Sequence, residues 1–266
     1  MKLFKNLLVS ICMVFSLAAH GQGTETDVKR SWDEAAIYLP DASKPLELNQ
    51  VKLDKTYPVV IFMHGCNGLG SYGRENDNKD WGILLAQQGL VVVMPDSMAR
   101  KDRKPSCDPK TLKGGLFPPV HDMRLEEIRF ASDEIKKQPW FDGKNLFLMG
   151  FSEGAVAVVR TRLSGFRGVI ATGWTCTNAK VPAFDGIFLP PETPLLTINY
   201  ADDPWFTTEN VQGSCENKST GRLNAQNLTI NGRGHGTYRN EQARQAVVNF
   251  IRQHLQSQQG KTGDQQ

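Results

Sequence analysis

The chain has 266 residues, of which 39% are hydrophobic and 22% are charged, the composition of an ordinary soluble globular protein. This length allows one large core, although two domains would also fit. The formal charge of +3 comes from 31 basic and 28 acidic residues scattered along the chain. So small and dispersed an excess argues against a nucleic-acid partner.

The first 22 residues are predicted to form a secretory signal peptide. Lys2 and Lys5 precede an apolar run from Leu7 to Ala19, and small residues follow as far as Gly21. The run is shorter than the ~20 residues that span a bilayer, so a retained anchor is the weaker interpretation. The sequence therefore predicts a secreted or periplasmic protein without stable membrane insertion, with its mature domain over residues 23–255.

Strand patterns alternate with helical patterns along residues 23–255. Continuous apolar, β-branched runs such as YPVVIFMHG (57–65) and LVVVMPD (90–96) are typical of strands covered on both faces. Helical spacing follows in segments 80–89, 122–139 and 241–255. This alternation predicts a single α/β domain with a mostly parallel central sheet and helices on both faces. Residues 97–120 are predicted to be a loop, and the polar tail 256–266 to be disordered.

Four cysteines remain after removal of the signal peptide, and export would favour two disulfides among them. Cys66, Cys107, Cys176 and Cys215 allow three connectivities. Each follows a predicted strand of a parallel sheet, so all four would lie at one edge. Pairing within each half of the chain would join two long loops there, which favours Cys66–Cys107 and Cys176–Cys215. Four buried thiols are the alternative, and the spacings match no zinc site.

A glycine-flanked serine lies between a predicted strand and a predicted helix. The stretch GFSEG, Gly150 to Gly154, fits the Gly-x-Ser-x-Gly pattern of a nucleophile elbow, in which a sharp turn lifts the serine to the top of the sheet. Glycines are needed because a Cβ at either position would collide with the neighbouring strand and helix. A surface turn would not need apolar runs on both sides. Ser152 is therefore the candidate nucleophile.

The base and the acid of such a site follow the serine in the order Asp, then His. His235 lies in the glycine-rich loop NGRGHGTY after the last predicted strand, and that loop gives the imidazole freedom to reach Ser152. The segment PLLTINYADDPW offers Asp202 and Asp203. We favour Asp203 because it lies farther from the strand, where the loop turns, and Asp202 is the alternative.

Two backbone amides are predicted to stabilise a developing oxyanion. The N–H of Glu153 lies at the start of the predicted helix and points at the reacting centre. The second donor is expected in the loop MHGCNGLG after the central strand, where the N–H of Cys66 is the candidate. His64 in this loop is expected to brace the backbone rather than to take part in chemistry.

The stretches HGCNG, PDS, GFSEG, PLLTINYADD and GRGHGTYR together resemble the dienelactone hydrolase branch of the α/β-hydrolase superfamily. The resemblance covers residues 57–255. It implies the α/β-hydrolase fold, no metal or organic cofactor, the triad Ser152, Asp203 and His235, and the oxyanion donors Cys66 and Glu153. It also implies that Arg239, four residues after the histidine, holds a substrate carboxylate. The namesake of the family has a cysteine nucleophile in place of Ser152, so an ester hydrolase is the safer expectation.

The leading hypothesis is therefore an exported serine esterase that acts on a small-molecule ester. An acyltransferase or serine peptidase on the same scaffold is one alternative, and an inactive binding protein of this fold is another. Trp81, Trp174 and Trp205 are expected either to line the acyl pocket or to pack in the protein. The basic run RKDRKP (100–105) is interpreted as a solvated loop, with steering of acidic substrates as the alternative.

Overall fold

The computed structural model of the protein describes residues 22–42, 44–70 and 77–256. Residues 1–21 of the predicted signal peptide (1–22) and residues 257–266 of the predicted disordered tail (256–266) lie outside these ranges. The helices are α1 Gln22–Asp33, α2 Asp77–Gln87, α3 Pro118–Lys136, α4 Glu153–Arg160, α5 Cys215–Lys218 and α6 Glu241–His254. The strands are β1 Ala36–Tyr38, β2 Leu46–Glu47, β3 Tyr57–Met63, β4 Val91–Met94, β5 Cys107–Asp108, β6 Lys113–Gly114, β7 Phe141–Phe151, β8 Gly168–Thr172, β9 Leu195–Asp202 and β10 Ala225–Arg233.

Eight of these strands form one sheet in the order β10-β9-β8-β7-β3-β4-β1-β2. Strands β10, β9, β8, β7, β3 and β4 are parallel to one another, whereas β1 is antiparallel to both β4 and β2. Ile61 of the central strand β3 lies opposite Val93 on one side and Leu148 on the other. The predicted mostly parallel α/β sheet is confirmed.

The two faces of the sheet bury two separate apolar clusters. Side chains alternate along a strand, so Ile61 and Met63 of β3 lie in the cluster covered by α1, α3 and α4. Val60 and Phe62 lie in the cluster covered by α2 and α6. Burial on both faces explains why these strands are continuous apolar runs in the sequence. The layers of helix above and below the sheet match the prediction.

Two parts of the chain differ from the sequence-based expectation. The helix α1 was not predicted, yet its Val28 and Trp32 are buried and it packs against α3. Segment 97–120 is not one loop, because it contains a 3₁₀ helix at Ser97–Ala99, the β5–β6 hairpin and the start of α3. Proline at the first helical position explains why α3 begins at Pro118, four residues before the predicted start.

Disulfides join Cys66 to Cys107 and Cys176 to Cys215, the pairing favoured from the topology. The first ties the loop after β3 to the β5–β6 hairpin. The second joins the loop after β8 to the start of α5.

Within residues 22–42, 44–70 and 77–256, no helix is long and apolar enough to cross a membrane.

Candidate active site

Ser152 lies at the sharp turn between β7 and α4. Its φ of 55° and ψ of −118° are a strained conformation for a residue with a side chain. A Cβ on Gly150 would overlap the carbonyl oxygen of Gly154, and one on Gly154 would overlap that of Met63. Strand and helix therefore approach each other, and the end of β3, as closely as glycine permits. This explains why both flanking residues are glycine.

Three side chains from distant parts of the chain form one hydrogen-bonded series at this turn. His235 Nε2 lies 2.9 Å from Ser152 Oγ, and His235 Nδ1 lies 2.7 Å from Asp203 Oδ2. An Nδ1–H that donates to the carboxylate leaves Nε2 free to accept the serine proton. Side-chain exposure is 14% for His235 and 2% for Asp203, so bulk water has little access to their hydrogen bond.

Asp203, and not Asp202, faces the imidazole. Asp202 ends β9 and is exposed, whereas Asp203 is buried in the turn that follows. The other oxygen of Asp203, Oδ1, accepts the backbone N–H of Trp205 at 3.0 Å. Both oxygens of the carboxylate are thus engaged, and its plane is fixed relative to the histidine ring.

Aromatic rings surround the imidazole of His235. The ring centroids of Phe151, Trp205 and Phe206 lie 5.0, 5.4 and 5.9 Å from it. These rings limit the orientations that the imidazole can take and reduce the water around it. Trp205 also lines the cavity at Ser152, whereas Trp81 and Trp174 are fully buried in the core.

The two amides predicted to bind an oxyanion lie beside the serine. Helix α4 begins at Glu153, so the N–H of Glu153 belongs to the first turn, whose amides have no partner within the helix. Cys66 follows β3 and lines the same cavities as Ser152. A Cβ on Gly65 would already lie 3.4 Å from the Cβ of Ser152, so the loop and the turn are in close contact.

His64 holds the loop after β3 in place. Its Nδ1–H donates to the carbonyl of Gly65 at 2.6 Å, and its Nε2 accepts the N–H of Ser97 at 3.0 Å. Burial lowers the pKa of His64 well below its usual range, and the adjacent Arg124 guanidinium lowers that pKa further. A neutral imidazole with one donor and one acceptor fits both contacts. The side chain has the bracing position expected from the sequence.

A group of buried charges lies beneath the turn; we call Arg100, Arg103, Arg124, Glu127 and Glu153 the buried ion cluster. Arg103 Nη2 lies 2.8 Å from Glu153 Oε1, and Arg124 Nη1 lies 2.8 Å from Glu127 Oε2. Arg124 also donates to the carbonyl of His64 at 2.9 Å. The cluster therefore connects the loop after β3, segment 97–106, α3 and α4.

The interpretation of RKDRKP as a solvated loop was wrong for two of its residues. Arg100 is 3% exposed, and the side chain of Arg103 is 2% exposed. Arg100 donates to Asp102 of the same run at 2.8 Å and to Glu126 of α3 at 3.1 Å, and Arg103 donates to Glu153 of α4 at 2.8 Å. The local sequence does not reveal the contacts to α3 and α4. Ser106, from the same segment, donates its hydroxyl hydrogen to Glu153 Oε2.

A cavity at Ser152, which we call the main cavity, has a volume of about 300 Å³. Among the described residues, those that line it are Gly65, Cys66, Asn67, Gly68, Gly70, Asp77, Asn78, Pro109, Leu112, Phe151, Ser152, Trp205, His235 and Gly236. Arg239 is exposed and is not in this set, so its contact with substrate stays a prediction.

Among the described residues, no group of three or more His, Cys, Asp or Glu is arranged to hold a metal ion.

Asp77 is a site residue that sequence reasoning missed. It lines the main cavity, and its Oδ2 accepts the N–H of Tyr238 at 3.2 Å, which fixes the loop that carries His235. The two residues are 161 positions apart. Asp77 belongs to no motif, and only its position as the first residue of α2 distinguishes it locally.

No protein-family model matches the chain, and no curated protein sequence matches it. Solved structures do match over most of its length. A dienelactone hydrolase-like promiscuous phosphotriesterase from metagenomic libraries is 15% identical with a TM-score of 0.56, and the match covers 84% of this chain and 98% of that one. Est1E from Butyrivibrio proteoclasticus is 16% identical with a TM-score of 0.52, covering 83% and 93%.

A phospholipase/carboxylesterase from Dyadobacter fermentans gives a similar result, with 17% identity, a TM-score of 0.51 and coverage of 82% and 96%. At such identities the likeness concerns the fold. These matches agree with the mostly parallel sheet and its helices. The chain adopts the α/β-hydrolase fold.

Proposed function

We propose that this protein is an exported serine hydrolase that cleaves carboxylic esters of small molecules through a triad of Ser152, His235 and Asp203. The hydrogen-bonded series from Asp203 to Ser152, at a turn with strained backbone, carries the proposal. Solved structures of the same fold include one described as a phospholipase/carboxylesterase and one described as a dienelactone hydrolase-like promiscuous phosphotriesterase. The two disulfides are consistent with an extracellular location.

In the first half of the reaction, Ser152 Oγ attacks the ester carbonyl carbon while its proton passes to His235 Nε2. Asp203 keeps the other ring proton on Nδ1 and stabilises the imidazolium that forms. The carbonyl oxygen becomes an oxyanion that accepts hydrogen bonds from the amides of Cys66 and Glu153, each worth about 3 kcal/mol in sites of this kind. The bond to the alcohol oxygen then breaks, and that oxygen takes the proton from Nε2.

The second half returns the enzyme to its starting state. Water gives a proton to His235 Nε2 as its oxygen attacks the acyl-enzyme carbonyl, and the same two amides accept the second oxyanion. Collapse of this intermediate releases the acid and returns the proton to Ser152 Oγ. Every group needed for these steps belongs to the chain.

Ser152→Ala tests the proposal directly. It should lower turnover of p-nitrophenyl acetate by about 10⁴-fold or more and abolish labelling by a fluorophosphonate, because no nucleophile remains. Ser164→Ala is the matched control, since Ser164 is exposed beyond the far end of α4; it should keep both activities. Equal turnover by Ser152→Ala and the wild type would refute the proposal.

A further inference from the structure

The residue after the nucleophile carries a buried negative charge. Glu153 is the proposed source of one oxyanion amide, and its own carboxylate side chain has 0% exposure. Arg103 Nη2 donates to Oε1 of this carboxylate at 2.8 Å, and the Ser106 hydroxyl donates to Oε2. Arg124 Nε lies farther from Oε1, at 4.0 Å, and Arg124 Nη1 lies 2.8 Å from Glu127. Among the described residues, Arg103 is therefore the nearest counter-charge of Glu153.

The Glu153 carboxylate lies close to where a second negative charge would form during the reaction. The oxyanion of the tetrahedral intermediate accepts from the backbone amide of the same residue, and charges in a buried site are weakly screened. Burial lowers the pKa of His121, and the charge of Glu153 opposes this shift. The field of the carboxylate thus reaches neighbouring side chains. Without a counter-charge, it would also act against the oxyanion.

Resting on the esterase function proposed above, we infer that Arg103 is a positioning residue that neutralises the Glu153 carboxylate, so that the oxyanion forms beside a compensated charge. The ester carbonyl is neutral in the bound substrate and gains negative charge only when it is attacked. Arg103 therefore acts on the transition state and not on the binding of substrate. Both halves of the reaction pass through an oxyanion, so both depend on it.

The chain segment that carries Arg103 also connects the two proposed oxyanion donors. Arg103 and Ser106 hold the side chain of Glu153, and the next residue, Cys107, forms the disulfide with Cys66. Residues 103–107 thus link the loop after β3 to the start of α4. This placement makes a purely structural role for Arg103 the alternative to be tested.

Two single substitutions separate the charge from the structural contact. Glutamine at position 153 has nearly the shape of glutamate, and it has a carbonyl that can accept from Arg103 and an NH₂ that can donate to Ser106. Glu153→Gln therefore removes the negative charge and keeps the hydrogen bonds. Arg103→Met keeps much of the side-chain volume and leaves the carboxylate without its nearest counter-charge. The two variants change the charge beside the oxyanion in opposite directions.

The test is steady-state kinetics with p-nitrophenyl acetate on the full chain. Arg103→Met should lower kcat by about 10-fold and leave KM within about twofold, a smaller loss than removal of an oxyanion donor causes. Glu153→Gln should raise kcat by about twofold or more, because Arg103 then stabilises the oxyanion without an opposing carboxylate. The double variant Arg103→Met/Glu153→Gln should have a kcat about 5-fold or more above that of Arg103→Met, since no uncompensated carboxylate remains.

Arg129→Met is the matched control, because Arg129 is an exposed arginine of α3; it should leave kcat within about twofold of wild type. Equal losses of kcat in Arg103→Met and Glu153→Gln would show that the contact acts only through structure. That result would overturn the inference and leave the esterase function standing. Absence of any turnover that depends on Ser152 would overturn both. If Arg103→Met does not fold, the direction of the change in kcat in Glu153→Gln decides the question.

Discussion

At the scale of single residues, Asp203 determines which nitrogen of His235 carries a proton. Its carboxylate accepts only, so the imidazole must present Nδ1–H to it and keep Nε2 unprotonated for Ser152. This arrangement depends on the charge and the acceptor chemistry of one side chain. An asparagine of nearly the same shape would reverse it.

Asp203→Asn should therefore lower kcat by about 10⁴-fold, because the amide NH₂ would favour the tautomer with the proton on Nε2. Asp202→Asn is the matched control, since Asp202 is the exposed neighbour at the end of β9; kcat should stay within about twofold of wild type. Steady-state kinetics with p-nitrophenyl acetate measure both. The reverse pattern, with Asp202→Asn inactive and Asp203→Asn active, would contradict the assignment.

Residues whose role follows from a short motif were predictable, and those whose role depends on distant contacts were not. Ser152 is identified by its two flanking glycines, and His235 by a glycine-rich loop after the last strand. Asp77 and Leu116 have no such local signal. Asp77 contacts Tyr238 from 161 positions away, and Leu116 lines a cavity together with Ser152 although the two are distant in the chain.

At the scale of elements, the two disulfides offer an internal comparison. They close segments of nearly equal length, with sequence separations of 41 and 39 residues. By the chain-entropy relation each would stabilise the folded state by about 4 kcal/mol. Their positions differ, because Cys66 lines the main cavity and is the proposed source of an oxyanion amide, whereas Cys176 and Cys215 do not line that cavity.

The double variant Cys66→Ala/Cys107→Ala should lose both stability and activity. The loop after β3, which carries Cys66, would no longer be joined to the β5–β6 hairpin. We expect kcat/KM to fall about 10-fold or more at a temperature where the variant is still folded. Cys176→Ala/Cys215→Ala should lose comparable stability and keep kcat/KM within about threefold. Urea denaturation and ester kinetics on both variants measure this, and equal kcat/KM losses in the two would contradict the distinction.

Elements with strong periodicity were predictable, and those held by non-local contacts were not. Strands β3 and β4 are apolar throughout because both faces are covered, and the sequence predicts them within about two residues. Strands β5 and β6 have two residues each and are held by the Cys66–Cys107 disulfide. Their sequence carries no strand pattern, so segment 97–120 was interpreted as a loop.

At the scale of the whole molecule, the class of fold followed from alternation of strands and helices, but the order of strands did not. Strands β4 and β7 are consecutive among the strands of the large sheet, yet they lie on opposite sides of β3. Apolar content shows that a strand is buried and does not show which strand is its neighbour. The meeting of Cys66, Ser152, Asp203 and His235 at one edge depends on that order.

Stability of the whole molecule should depend on pH through His121. Burial lowers the pKa of His121 to about 4, with Glu153 opposing this shift and Arg160 and Arg124 adding to it. In the unfolded chain its pKa is about 6.5. Between these two values the unfolded state binds a proton that the folded state excludes. The free energy of unfolding therefore falls as pH is lowered from 7 to 4, by about 3 kcal/mol from this residue.

His121→Gln should make this fall shallower, because glutamine keeps a donor for Gly115 and does not titrate. His64, whose pKa is lowered in the same direction by burial, leaves a remaining slope of the same sign. His254→Gln is the matched control, because His254 is partly exposed at the end of α6 and its pKa is less affected by burial. Urea denaturation at intervals from pH 7 to pH 4 measures the free energies. A fall in the free energy of unfolding that is as steep in His121→Gln as in the wild type would contradict the argument, because glutamine cannot titrate. The comparison cancels the opposite contribution of Glu127, whose pKa is raised by burial.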